Sequence, residues 1–321
     1  MALCETASVA VGIDIGGQSS KIGIVDREGH ILGRSVLPAD GDTNPDDFVA
    51  KLAEAVRALI ASCAPDSPIA GVGVGAPNAN FYTGCISHAP NLPWANGKTV
   101  PFAQMLSWKL DDVPVTITND ANAAAMGEMK YGVAKDLKHF IEITLGTGVG
   151  SGVVVDGKIL YGSDGFAGEL GHSCVEMDGR QCGCGNRGCL EAYASATGVA
   201  RTAREWLDSS DEPSSLRQLT KITSKDVAEA AAVGDALALR VFDYTGTILG
   251  TKLADFVHFS APQAIVLFGG LARAGELIYA PTIKAMNARL LPIWKDKVKL
   301  LFSSLPESDA AILGASALVW A

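Results

Sequence analysis

The chain has no excess of positive charge. It carries 26 lysines and arginines against 35 aspartates and glutamates, a formal net charge of −9. General nucleic-acid binding needs a basic face for the phosphates, so no nucleic-acid partner is expected. Acidity does not exclude a small phosphate-bearing ligand, because backbone N–H groups can hold phosphate without net positive charge. Long apolar runs are also missing. The most apolar internal stretch, residues 264–272, contains two glycines, whereas a membrane-spanning helix needs about 20 apolar residues. Residues 1–12 carry Glu5 and neither lysine nor arginine, so the basic start of a secretory signal is absent. A cytoplasmic protein without membrane attachment is the expectation. Cysteine is scarce, at seven. The number is odd and four cluster in one short stretch, which favours a metal site in a reducing compartment over a disulfide framework.

What is present is a globular composition. Hydrophobic residues make up 48% and charged residues 19%, too apolar for a disordered chain. The 321 residues suggest about two domains at roughly 150 residues each.

Strand signals open the chain at residues 9–15, 21–26 and 30–34, a meander of hairpins with Gly16-Gly17 in its first turn. Residues 45–62 have helical spacing, with Phe48, Leu52, Ala55, Val56 and Leu59 on one face. Further strands are expected at 69–75 and 113–118, and a helix at 121–131. A second hairpin opens at Phe140 and repeats the first. Adding 130 carries Ile13, Ile15, Gly16, Ile24, Val25 and Asp26 onto Ile143, Leu145, Gly146, Val154, Val155 and Asp156. Helices dominate from Ala192 to about Ser260. A strand at 264–268 capped by Gly269-Gly270, a strand at 298–302 and a helix at 308–320 complete the chain. Strands alternating with helices indicate an α/β class, and two related halves suggest two lobes with a cleft.

Three groups of residues carry chemistry. Asp14-Ile15-Gly16-Gly17-Gln18 and Leu145-Gly146-Thr147-Gly148-Val149-Gly150 are glycine turns between strands. Glycine lets backbone N–H groups approach a phosphate closely; equally, glycine pairs make ordinary hairpin turns. Each turn leads into a strand, so neither is a Walker loop or a dinucleotide fingerprint. Asp14, at a strand end, is placed for a hydrated Mg²⁺. The second group is His172, Cys182, Cys184 and Cys189. Two thiolates at i and i+2, a glycine-rich knuckle, a third thiolate and a histidine suit tetrahedral Zn²⁺, which would fix a loop of little apolar content. Cys174 competes for a ligand position, and buried or redox-active thiols are the alternative. Cys4, Cys63 and Cys85 are isolated and read as structural. The third group is carboxylates. Asp120 follows a strand and precedes an alanine-rich helix, a place for an N-cap and also for a general base. Glu169 and Glu191 bracket the metal loop and suit paired sugar hydroxyls. His172 has a second ring nitrogen to present to substrate.

Asp14-Ile15-Gly16-Gly17, Asn119-Asp120-Ala121-Asn122, Leu145-Gly146-Thr147-Gly148, Glu169-Leu170-Gly171-His172 and Cys182-Gly183-Cys184-Gly185-Asn186-Arg187-Gly188-Cys189-Leu190-Glu191 together resemble the ROK family of repressors, open reading frames and kinases. The resemblance covers nearly the whole chain. The cysteine motif is specific, while the glycine turns are shared with the wider actin-like ATPase superfamily. It implies a two-lobed α/β fold of the actin, hexokinase and ribonuclease H-like type. Residues 1–118 with 304–321 would form the smaller lobe. Residues 119–303 would form the larger lobe with its zinc loop at 172–189, and ATP and sugar would meet in the cleft. It implies ATP-dependent phosphorylation of a hexose at O6, glucose first, with N-acetylmannosamine, N-acetylglucosamine and fructose as alternatives. Asp120 would take the proton from the 6-hydroxyl. Asn91, Asn119, Glu169, His172 and Glu191 would hold the sugar. Gly16, Gly17, Gln18, Lys21, Thr147 and Gly148 would surround the phosphates, with Mg²⁺ near Asp14 and Gly269-Gly270 near the adenosine. The family's metal is Zn²⁺, on His172, Cys182, Cys184 and Cys189, and its kinases are often homodimers. Gln18 stands where the family usually has threonine, so its phosphate contact differs. Asn78 stands where the family often has glycine, which bears on sugar choice. The family's sugar-sensing repressors carry a helix-turn-helix ahead of the first hairpin. With the first strand at about Val9 and an acidic chain, a kinase is expected instead. A structural actin-like ATPase leaves the cysteines and Glu191 without a role.

Overall fold

The structure, a computed structural model, describes residues 8–321. Cys4, and the start of the stretch read for a secretory signal, lie outside the described residues. In chain order the elements are β1 (Val9–Ile15), β2 (Ser19–Val25), β3 (Ile31–Pro38), α1 (Pro45–Cys63), β4 (Ile69–Gly75), β5 (Ile86–Ser87), β6 (Thr99–Val100), α2 (Phe102–Lys109), β7 (Val115–Thr118) and α3 (Asp120–Tyr131). Then come β8 (Phe140–Leu145), β9 (Val149–Val155), β10 (Lys158–Ile159), α4 (Glu191–Ala194), α5 (Ala196–Ser209), α6 (Ser224–Ala232), α7 (Ala236–Ser260), β11 (Ala264–Phe268), α8 (Glu276–Arg289), β12 (Lys299–Phe302) and α9 (Glu307–Ala317). Among the described residues no helix is long and apolar enough to cross a membrane.

Two five-stranded sheets organise the chain, in the orders β3-β2-β1-β4-β7 and β10-β9-β8-β11-β12. The orders are equivalent: an antiparallel pair of hairpins, a central strand, then two parallel neighbours. The offset of 130 seen in the sequence carries β2 onto the bounds of β9. The fold is therefore α/β with a repeated strand–turn–strand plan. The chain forms two compact units. One runs to Asp136 and includes Gly152–Ala167 and Ser304–Ala321; the other is Leu137–Ser151 with Gly168–Ser303.

In the first unit, side-chain size alternates along β1 with period two, as the pleat demands. Val9, Val11, Ile13 and Ile15 join the core beneath α1, with Phe48, Leu52, Val56 and Leu59 of that helix. Asn44 caps α1 by accepting from the Asp46 N–H at 3.0 Å, and Pro45 occupies its first turn. The other face of the sheet carries small residues in register: Ala10 opposite Gly71, and Gly12 opposite Gly73. Helix α9 packs on this face, backbone against backbone. A Cβ on Gly73 would overlap the Ala315 carbonyl oxygen, and one on Gly12 the Ile312 carbonyl oxygen. A helix carbonyl cannot rotate away as a side chain can. Gly73→Ala should therefore lower stability by roughly 1–3 kcal/mol or more, seen as a lower urea midpoint with unchanged slope. Gly71→Ala, which would meet Val319 Cγ1 at 3.1 Å and the Pro114 carbonyl at 3.2 Å, should lose less. Equal midpoints would refute the close-packing account.

Candidate active site

The first glycine turn closes when the Gly16 N–H donates to the Ser19 carbonyl at 3.0 Å. Gly17 and Gln18 are left exposed at its tip. Asp14 on β1 faces Lys21 on β2 across the ladder. Asn91 is exposed, and its backbone lies against the turn: a Cβ on Gly17 would sit 3.0 Å from the Asn91 carbonyl oxygen.

Asp14, Gly75 and Thr118 stand in register at the ends of the parallel strands β1, β4 and β7. Asn119 and Asp120 follow Thr118 directly. Ligands of open α/β sheets bind outside these carboxyl ends. Glycine at 75 lets the start of α3 lie close to the strand end; a Cβ there would sit 3.1 Å from Ala123 Cβ. The capping role falls on Asn119, whose Oδ1 accepts from the Asn122 N–H at 2.7 Å. Asp120 is the first residue of α3. Its Oδ1 accepts the neighbouring Ala121 N–H at 3.0 Å, and the residue is exposed.

Both aspartates hold their protons more tightly than usual. At Asp14, burial pushes the pKa up to about 6, the Lys21 charge lowers it, and the Asp120 charge raises it. At Asp120 the loss of hydration raises the pKa against donation from backbone N–H groups. A raised carboxyl pKa favours the folded state while the group is protonated, and that contribution is lost as pH rises through about 6. Asp14→Asn should accordingly raise Tm at pH 8 and leave it nearly unchanged at pH 3. A lower Tm at pH 8 would mean that the Lys21 pairing outweighs burial.

In the second unit, the second glycine turn is tighter, with the Gly146 N–H donating to the Gly148 carbonyl at 3.0 Å. The start of α5 is tied to it. The Ala196 N–H donates to the Gly146 carbonyl and the Thr197 hydroxyl to the Thr147 carbonyl, each at 2.8 Å. Glu191, at the start of α4, accepts the Val149 N–H through Oε2 at 3.0 Å. A Cβ on Gly148 would collide with that carboxylate, so glycine here makes room for the contact. Gly269, at φ +98°, would carry a Cβ 2.7 Å from the Leu145 carbonyl oxygen. The structure thus brings Thr147, Gly148, Glu191 and Gly269-Gly270 together. After Gly270 the chain forms a 3-10 turn through Ala274 before α8.

Glu169 is exposed, and its two chain neighbours are tied down by buried Ser151 on β9. The Ser151 hydroxyl donates to the Gly168 carbonyl and accepts the Leu170 N–H at 3.1 Å. Leu170–His172 then makes one 3-10 turn, which aims His172 Nδ1 at Cys182 Sγ, 3.7 Å away.

The metal cluster assembles as the spacing requires. One ligand atom each from His172, Cys182, Cys184 and Cys189 lies within 4.8 Å of the others, and Cys184 Sγ is 3.7 Å from Cys189 Sγ. With Zn–S near about 2.3 Å, neighbouring sulfurs of a tetrahedral site fall about 3.8 Å apart. The donor set and spacing fit Zn²⁺. Without a cation, burial pushes the Cys182 thiol up to about 12; a divalent ion is what would hold it as thiolate. Cys174 is exposed and outside the cluster. His172 thus turns Nδ1, rather than Nε2, toward the Cys182 sulfur. Glu191 Oε1 sits 3.5 Å from Cys182 Sγ, so one carboxylate links the metal loop to the second glycine turn.

Asn78 adopts φ +54°, a conformation natural to glycine that asparagine tolerates. Its amide donates to the carbonyls of Ser87 and His88, both at 3.1 Å. The departure from glycine is thus accounted for by loop geometry. Sequence reasoning passed over Ser151, Ser195 and Thr197. Ser195 is buried and caps α5 through the Gly198 N–H at 3.0 Å. The available signal for Ser151 was a hydroxyl within the otherwise apolar run of β9.

The chain belongs to the ROK family: the model of that family matches residues 10–321. It is 36% identical over 315 residues to the glucokinase of Halalkalibacterium halodurans, covering 96% of this chain and 94% of that protein. Among solved structures it is similar to a ROK family glucokinase from Streptomyces griseus in complex with glucose and AMPPNP. That likeness has a TM-score of 0.78, with 31% identity over 97% of this chain and 99% of that one. It is also 29% identical to the xylose repressor of Bacillus spizizenii, over 98% of this chain and 78% of that protein.

Proposed function

We propose that the protein is an ATP-dependent hexose kinase, a glucokinase that transfers the γ-phosphoryl group of ATP to the 6-hydroxyl of glucose. The observation that carries this reading is Asp120. It is an exposed carboxylate at the strand ends, relieved of capping by Asn119, and loss of hydration raises its pKa, the direction that suits a general base. The similarity to a glucokinase that binds glucose and AMPPNP supports it.

In this reading Asp120 accepts the proton of the 6-hydroxyl as its oxygen attacks phosphorus in line. Asn119 keeps its amide N–H₂ for a neighbouring hydroxyl. Asn91, Glu169, His172 through Nε2, and Glu191 hold the remaining hydroxyls and fix the sugar's orientation. Gly16 shapes the first turn through its bond to Ser19, while backbone N–H groups at Gly17 and Gly148, with Gln18, Lys21 and Thr147, receive the phosphate oxygens and stabilise the charge that spreads over them. Gly269-Gly270 leave room for the adenosine. Asp14 would hold Mg²⁺, whose contribution when bound is to neutralise phosphate charge. Zn²⁺ would be structural, keeping His172 and Glu191 in place.

The test is a coupled ADP-release assay over glucose, fructose, N-acetylmannosamine and N-acetylglucosamine. Glucose should give the highest kcat/KM. A higher value for another sugar would move the substrate assignment. No sugar-dependent ADP release, together with sugar-sensitive retention of DNA in a gel shift, would favour the repressor reading that similarity to the xylose repressors keeps in view.

A further inference from the structure

We propose that the hollow between the metal loop, α5 and α7 is a second binding site, for a phosphorylated sugar. The hollow has a volume of about 510 Å³ and lies wholly within the second unit. That is the size of ordinary small-molecule sites, roughly 300–1,000 Å³. Its walls are the metal loop, α5 and α7.

The lining has the three chemistries that such a ligand needs. Guanidinium groups come first. The Glu205 carboxylate is shared by Arg180, at 2.6 Å, and Arg201, at 2.7 Å; Glu176 and Asp178 stand in the same lining with Arg187. Arg187 is exposed and donates only weakly to the Gly179 carbonyl, at 3.4 Å. Arg201 and Arg187 thus offer N–H donors for a phosphate. Acceptors for hydroxyls come second, from Asp178 and the Gln181 amide. Aromatic faces come third. Trp206 and Tyr244 line the hollow with centroids 5.4 Å apart and planes tilted by 57°; Arg240 lies over the Trp206 ring, and the remaining ring surface is apolar ground for the C–H groups of a sugar.

The floor is already built. The Arg180 side chain is 9% exposed and lies over the Tyr193 ring, 4.6 Å from its centroid. Its guanidinium donates to the Ala192 carbonyl at 3.1 Å. The Arg180 N–H donates to the Tyr193 hydroxyl, which donates in turn to Glu176 at 2.6 Å. Ala192 follows Glu191, and Gln181 precedes Cys182. A ligand here therefore pulls on the segments that carry the metal ligands and Glu191. The binding claim stands on this lining alone; its meaning as control by product rests on the kinase reading.

The experiment is calorimetric titration of glucose 6-phosphate into the zinc-loaded full chain saturated with glucose and AMPPNP, which removes competition at the proposed active site. Binding should persist. It should weaken about tenfold or more in Arg201→Gln and in Arg187→Ala, with Tm, zinc content and glucose binding unchanged. Glucose and inorganic phosphate titrated singly should compete poorly for this second event. Loss of all glucose 6-phosphate binding under saturation, or unchanged affinity in both variants, would overturn the proposal. If no sugar supports ADP release, the kinase reading fails while the comparison of the two arginine variants still decides this one.

Discussion

Asp120→Asn is expected to lower kcat by about 10²–10⁴-fold, the usual contribution of a positioned general base, while glucose binding stays within a few-fold of the parent. The substitution is clean for structural reasons. Asn119, and not residue 120, caps α3, so the helix start is untouched. An asparagine Oδ1 can still accept the Ala121 N–H that Asp120 accepts at 3.0 Å. What disappears is a carboxylate able to take a proton. Removing it also relieves Asp14 of a neighbouring negative charge that raises its pKa, so Asp14 should titrate lower in the variant. Single-turnover rates and glucose affinity measured side by side make the check. Full turnover in Asp120→Asn would remove this residue from the base role.

Removing the metal should be nearly as damaging. Chelation of zinc, or Cys182→Ser, is expected to cost roughly 10²-fold in kcat/KM, the scale of misplacing a positioned group by about 1 Å. The loss should appear mainly in KM for the sugar. The loop from 172 to 189 has few apolar side chains to hold it. Its order comes from the ligand cluster and from backbone turns such as the Cys182 N–H to the Asn186 carbonyl, at 2.9 Å. His172 is a member of that cluster, and Glu191 follows the last cysteine by two residues. Without the cation both lose their reference point. Metal content by atomic absorption should fall from one zinc per chain to none, and the loop should become open to proteolysis. Unchanged sugar KM in fully demetallated protein would separate the cluster from the active site.

Chemistry confined to a few consecutive residues was legible in the sequence. The two glycine turns, the cysteine knuckle and the Asn119-Asp120 pair each sit in one local motif, and each forms locally in the structure. The strand repeat was legible for the same reason, because hairpins pair neighbours in the chain. Helix α1 followed from its apolar spacing. The last helix was read as 308–320 and closes earlier, at Ala317, where the following N–H groups turn back to Ala315 and Ser316.

Contacts between distant segments were not legible. Sequence left Asp120 equally a cap and a base; only the backbone path at β7 and α3 gives the cap to Asn119. Nothing near Glu169 in the chain announces Ser151, because the contact depends on which face of β9 that residue takes. Thr197 meets the second glycine turn across 50 residues. Gly12 of β1 and Gly73 of β4 carry no local signal of their role, because the α9 backbone they make room for is about 240 or more residues away in the chain. The residues by themselves determined which groups exist and which short segments bend, since those depend on side-chain type and near neighbours. Tertiary structure decided which carboxylate is left open, what holds the backbone on either side of Glu169 and why β1 and β4 carry glycine where α9 lies, because each depends on backbone brought close by packing over long stretches of chain.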